Sequence, residues 1–209
     1  MGILRPIKAL TDFLSENQKS NMIVAEIGVY DGSTTSDYIE IIKKNQGKLL
    51  VIDWFQGNEN VGGTHGFNPS NKDSVINMFK DNLKNYLDII TIMDGTSHEM
   101  ITKIEDNSLD FCFIDADHRY SFVYKDIELL IPKMKQGGIM IGHDFEDIGK
   151  NMIPFIRNEW LEIDYSFVPE LQISAHCGVI KAVHDHFGYD IEVRPDPYGQ
   201  RAPIWIKRF

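Results

Sequence analysis

From residue 22 onward one pattern repeats five times: a short apolar run, a polar or glycine-bearing turn, then a longer stretch with apolar side chains every three or four positions. The short runs are residues 22–27, 48–53, 88–93, 109–114 and 139–142, each of a length for a buried strand. Between them the spacing predicts helices. One starts at Ser33 or Thr34 as cap, carries Tyr38, Ile41 and Ile42 on one face and stops before Gly47. Another covers 71–86 with Val75, Met78, Phe79, Leu83 and Tyr86 inward. A third covers 119–135 with Phe122, Ile127, Leu130, Ile131 and Met134 inward, stopped by Gly137 and Gly138. Alternating strands and helices predict an α/β fold, a doubly wound, mostly parallel, Rossmann-like sheet. Ahead of it, Ile3, Ile7, Leu10 and Leu14 predict an edge helix over 3–16. Behind it, 146–160 reads as a helix broken by Pro154, and 161–177 keeps no period. Residues 146–177 are therefore expected to form an insertion at the substrate entrance. A helix over 178–187 and a C-terminal antiparallel strand pair, 189–193 with 203–207, complete the chain.

Composition narrows this picture. With 209 residues and 43% apolar side chains, the chain is expected to form a single domain over 1–209. Residues 55–70 hold four glycines and no periodicity, which suggests a lid loop with His65 and Asn68 in reach of substrate. A net charge of −10 and a pI near 5.1 argue against nucleic acid as partner, since tracking phosphates takes clustered Lys and Arg. No apolar run reaches the ~18 residues that span a bilayer, so no membrane partner is expected. Cys112 and Cys177 are far apart in sequence and indicate no disulfide framework, consistent with a cytoplasmic protein.

Candidate chemistry gathers where the runs end. After the first comes Glu26-x-Gly28-x-Tyr30-x-Gly32, a turn in which glycine permits positive φ and close approach of a ligand. Tyr30 stands where the dinucleotide fingerprint wants glycine, and Glu26 suits a cationic, amino-acid-bearing ligand such as S-adenosylmethionine (SAM). Thr34 lies at the start of the helix that follows. Asp53 ends the second run about 25 residues beyond Gly28, where nucleotide-binding α/β units place an acid on the ribose. Trp54 beside it is either a wall for adenine or core. In Gly95-Thr96-Ser97-His98, Ser97 is a helix cap, and Ser97 and His98 are placed to meet a base edge. The fourth run ends in Asp115-Ala116-Asp117-His118 and the fifth in His143-Asp144, ionisable groups at strand ends where α/β sheets bind ligands.

These motifs, in this order over 22–145, resemble class I SAM-dependent methyltransferases, and more narrowly the metal-dependent O-methyltransferases of catechol and macrolide-sugar type. The resemblance implies that Glu26, Gly28, Tyr30 and Gly32 hold the methionine part of SAM, Asp53 the ribose, and Gly95, Ser97 and His98 the adenine. It implies a divalent cation, Mg or Mn, on Asp115, His143 and Asp144, and His118 as general base for a small-molecule hydroxyl acceptor. His143 departs from the usual oxygen ligand, which leaves the metal open between Mg²⁺ and softer ions. A rival reading takes Asp115-Ala116-Asp117 as the D-x-D element of a nucleotide-sugar glycosyltransferase. The acceptor, a sugar or a phenol, and any homo-oligomer are not readable.

Overall fold

The computed structural model describes residues 7–56, 72–199 and 201–209. β1 (Ile23–Ile27) lies at the centre, parallel to β2 (Lys48–Asp53) on one side and β4 (Leu109–Ile114) on the other, with Ile27 level with both Ile52 and Ile114. β3 (Ile90–Asp94) extends the sheet beyond β2, and β5 (Met134–Gly142) beyond β4. Past β5, β9 (Ile204–Arg208) and β8 (Glu192–Arg194) run antiparallel, giving the order β3-β2-β1-β4-β5-β9-β8. This is the doubly wound sheet with a C-terminal antiparallel pair that the pattern predicts. Side chains on alternate positions serve opposite faces. Ala25, Ile27, Cys112, Ile114 and Met140 pack under α5 (Tyr120–Leu130) and α6 (Cys177–Phe187). Val24, Val51, Phe111, Phe113 and Ile141 pack under α1 (Lys8–Glu16), α2 (Ser33–Lys44) and α3 (Lys72–Asn82). Strand order reverses between β1 and β4, so the ligand crevice of such a sheet opens at their carboxyl ends.

Several boundaries differ from the sequence reading. α1 covers Lys8–Glu16 with Ile7 as its cap, and residues 3–6 of the expected helix lie outside the described residues. α2 is capped by Gly32 in the left-handed region (φ +77°), not by Ser33 or Thr34, and the Asp31 carboxylate accepts from Ser33 N–H. Ile39 rather than Ile41 is buried on that helix, and Met78 of α3 is exposed. The helix expected over 119–135 ends at Leu130, because Pro132 lacks an N–H and only a 3₁₀ turn follows. Gly137 and Gly138 thus stop no helix. They lie in β5, where its register shifts from Leu109–Met134 to Phe111–Ile139. Residues 146–160 form no α-helix among the described residues. The Asp147 side chain accepts from the N–H groups of Asn151 and Met152, and two 3₁₀ turns (Ile153–Phe155 and Asn158–Trp160) follow. The aperiodic stretch after them holds a hairpin, β6 (Ser166–Val168) with β7 (Ile173–Ala175). Most of the proposed lid, with His65 and Asn68, lies outside the described residues. No described helix is long and apolar enough to cross a membrane.

Candidate active site

The glycine turn after β1 is built by packing more than by ligand clearance. Gly28 has φ +84°, and a Cβ there would stand 2.2 Å from the Asp115 carbonyl oxygen, so the turn lies directly on the backbone that ends β4. At Gly32 a Cβ would meet Phe79 and Leu83 of the α3 region at 2.8 and 2.9 Å. Asp53 closes the turn from the side. One carboxylate oxygen accepts from Val29 and Tyr30 N–H at 2.9 Å each, and the other from Phe55 N–H at 2.6 Å. Tyr30 and Phe55 both adopt left-handed φ, an arrangement these amide bonds hold in place.

The Glu26 carboxylate lies inside the fold. It is fully buried, and one oxygen accepts from the Thr35 and Tyr38 hydroxyls at 2.6 and 2.5 Å while the other has no hydrogen-bond partner among the described residues. Burial pushes its carboxyl up to about 8, against the two hydroxyl hydrogen bonds. The open edge is formed instead by Tyr30 and Trp54, 42% and 40% exposed, beside the half-buried Asp53 and Thr34. Trp54 is therefore not core. A carboxylate has about four acceptor positions, and three are used at Asp53.

The loop after β3 brings Gly95, Ser97 and His98 to the same end of the sheet. Thr96, not Ser97, caps α4 (Ser97–Met100), its side chain accepting from Glu99 N–H. Nε2 of His98 lies 3.5 Å from Asp126 of α5, whose carboxyl burial pushes up to about 7. His98 stacks on Phe122, with ring centroids 5.3 Å apart.

Across the crevice, β4 and β5 deliver Asp115, His118, His143 and Asp144 into one cluster. Asp144 has φ +59°, left-handed for a non-glycine residue, directly after Gly142 and His143. Gly142 is required there because a Cβ would stand 2.2 Å from Nε1 of Trp205 on β9. Nε2 of His118 lies 3.0 Å from Asp144 and 3.8 Å from Asp115, and Nδ1 of His143 lies 3.1 Å from Asp144 and 3.6 Å from Asp115. Asp115, His143 and Asp144 each offer a ligand atom, all within 4.8 Å of one another. The set fits a divalent ion: two carboxylates supply charge and an imidazole supplies a borderline-soft donor.

Three cluster residues escaped the sequence reading. Asp164 lies 2.6 Å from His118 Nδ1, Glu146 lies 2.8 Å from His176 Nδ1, and the His176 ring is 4.5 Å from that of His118. Asp164 and His176 fall in 161–177, where no period marked them, and Glu146 falls in a stretch read as helix; only its closeness to His143-Asp144 was a signal. Burial favours neutral His118, but hydrogen bonds to Asp115, Asp144 and Asp164 outweigh it and hold the imidazole well above its ordinary range. Asp117 turns away: it forms a two-pronged pair with Arg119, Nε at 2.9 Å and a terminal nitrogen at 2.5 Å. Asp115 and Asp117 therefore do not converge as a D-x-D element would require.

Comparison with known proteins places the fold. No curated protein matches the chain. Among solved structures, the O-methyltransferase from Bacillus cereus in complex with SAH is 14% identical, with a TM-score of 0.64 over 97% of this chain and 81% of that one. TomG, the O-methyltransferase from Streptomyces achromogenes involved in tomaymycin synthesis, solved with SAM, is 11% identical with a TM-score of 0.60, over 96% and 78%. CalS11, a TDP-rhamnose 3'-O-methyltransferase of calicheamicin biosynthesis, is 16% identical with a TM-score of 0.55, over 95% and 76%. At these identities the likeness is one of fold. The family model described as "Methyltransferase domain" matches residues 25–145, more than half of the chain and the whole stretch from the glycine turn to the Asp144 strand end. The chain belongs to the methyltransferase-domain family, and its fold is that of the class I SAM-dependent enzymes.

Proposed function

We propose that this protein transfers the methyl group of SAM to a hydroxyl oxygen of a small molecule, a sugar or a phenol. The observation that carries the reading is the meeting of Asp115, His118, His143 and Asp144 against the Gly28 turn, in a chain of this family. Two similar structures named above are O-methyltransferases of small-molecule biosynthesis, which supports a small hydroxyl acceptor. The acidic surface and the two free, buried cysteines support a cytoplasmic enzyme acting on small molecules as one domain.

In this reading Asp53, Tyr30 and Trp54 hold the nucleoside, Gly28 to Thr34 border the methionine part, and Ser97 and His98 border the base. The acceptor oxygen forms a bond to the methyl carbon as the methyl–sulfur bond breaks, leaving a neutral thioether, so alignment is the main contribution. Asp115, His143 and Asp144 would hold a divalent ion, which supplies Lewis acidity to lower the hydroxyl pKa and takes up carboxylate charge. His118 Nε2 takes the hydroxyl proton, while Asp164 at Nδ1 fixes the ring.

Calorimetry tests the donor: heat of binding with SAM and its demethylated product is expected, and none with a UDP-sugar. The opposite pattern would overturn the methyltransferase reading. A panel of sugars and phenols with labelled methyl donor tests the acceptor. Activity should vanish after EDTA treatment and return with Mg²⁺ or Mn²⁺, whereas full turnover in EDTA would remove the ion from the reaction.

A further inference from the structure

The cluster contains a second set of ligand atoms that the proposed reaction does not use. His118, Asp144 and His176 each offer a donor atom within 4.8 Å of the others, and the set shares only Asp144 with Asp115 and His143. Its chemistry differs from that of its neighbour, with two imidazoles and one carboxylate in place of two carboxylates and one imidazole. Both added rings are fixed by acids outside the set. Asp164 holds His118 at Nδ1, leaving Nε2 toward Asp144, while Glu146 accepts from the His176 backbone N–H at 3.1 Å and lies 2.8 Å from His176 Nδ1, the ring nitrogen that is also 3.7 Å from Asp144. At His118 this is the usual support of a metal-ligating imidazole, a carboxylate on the far ring nitrogen that fixes tautomer and orientation. The fold also brings the rings together without slack. A Cβ on Gly178 would stand 2.4 Å from the His118 carbonyl oxygen, so the start of α6, with His176 just before it, lies directly on the His118 backbone.

We propose that His118, Asp144 and His176 form a second cation position, selective for imidazole-preferring divalent ions such as Zn²⁺ or Co²⁺, and that filling it removes His118 from proton transfer. Two imidazoles favour Co²⁺ and Zn²⁺ over Mg²⁺, which prefers oxygen ligands. An ion there occupies the Nε2 lone pair that would otherwise accept the hydroxyl proton. The enzyme would then run with Mg²⁺ in the carboxylate-rich set and be inhibited as Zn²⁺ or Co²⁺ enters the histidine-rich one. The inhibition rests on the methyl-transfer reading; the binding does not.

The test is titration of the whole chain with Co²⁺ in excess Mg²⁺, read by visible absorption and equilibrium dialysis. Wild type is expected to develop the bands of nitrogen-ligated Co²⁺. His118→Ala and His176→Ala should each weaken Co²⁺ binding at least about tenfold, while Asp115→Asn, which damages only the other set, should retain it. Should the alanine variant at 176 fail to fold, His176→Gln serves the same comparison. Wild-type affinity and bands in both histidine variants, or loss of Co²⁺ binding in Asp115→Asn, would overturn the second position. Co²⁺ binding as expected with no SAM heat would leave the position standing and remove only the link to methyl transfer.

Discussion

At the scale of single residues, the glutamate of the glycine turn shows how far a motif can be read. Its place in the pattern suggests a charge aimed at a cationic ligand, yet its carboxyl is buried under α2 and shared by the Thr35 and Tyr38 hydroxyls. The consequence is measurable through pH. The folded carboxyl titrates at about 8, whereas an exposed glutamate in the unfolded chain titrates near ~4.3. Between those values the folded state binds the extra proton, so this group's contribution to stability falls as pH rises through the window and levels off above it. The limiting slope is about 1.4 kcal/mol per pH unit. Glu26→Gln should abolish this contribution, so the wild-type minus variant difference in urea-unfolding free energy should fall between pH 5 and pH 8. A flat difference would mean that the two hydroxyls keep Glu26 ionised in the fold. Asp53 shows the converse: its position was legible from spacing, but its hold on three backbone N–H groups was not, because those contacts depend on how β1 and β2 are brought together.

At the scale of elements, legibility followed burial. β2 and β4 were bounded correctly because strands covered on both faces read as uninterrupted apolar runs with polar ends. Residues 146–177 were not legible, because local side-chain bonds decide their path: Asp147 takes amides a helix would use, and Glu146 takes the His176 amide. Those same bonds bring Asp164 and His176 to the cluster, so the least periodic segment supplied the residues the motifs missed. α6 is the rigid part of this delivery. Gly178→Ala would force a methyl to within 2.4–2.7 Å of backbone atoms of His118, Tyr120 and Leu161. Overpacking of this kind costs about 1–3 kcal/mol, and the displaced helix start carries His176 with it. The variant should therefore melt several degrees below wild type and bind Co²⁺ more weakly, by calorimetry on protein still folded at the working temperature. Unchanged Co²⁺ affinity in a destabilised protein would mean that His176 is positioned by Glu146 alone.

At the scale of the whole molecule, the sheet divides at the point where its strand order reverses. The half built on β1, β2 and β3 carries the proposed nucleoside edge, and the half built on β4, β5 and α6 carries the cation cluster. The halves touch where the cradle is tightest, with Gly28 so close to the Asp115 carbonyl that no methyl fits between them. A ligand that settles the Gly28 turn therefore also settles the backbone presenting Asp115, and the reverse. Each ligand alone should stabilise the fold by about 2.7 kcal/mol at a hundred times its Kd, a melting shift of roughly 5–10 °C for a chain of this size. The shared contact makes a stronger demand. Mn²⁺ should tighten SAM binding, and by thermodynamic reciprocity SAM should tighten Mn²⁺ binding by the same factor, typically ~5–150-fold for coupled sites. Four calorimetric titrations, each ligand with and without the other, close that cycle. Gly28→Ala, which must push the turn off Asp115, should weaken both ligands and shrink the factor toward one. Equal SAM affinity with and without Mn²⁺ in the wild type would mean that the two halves of the sheet act independently, and that the close packing at Gly28 serves the fold alone.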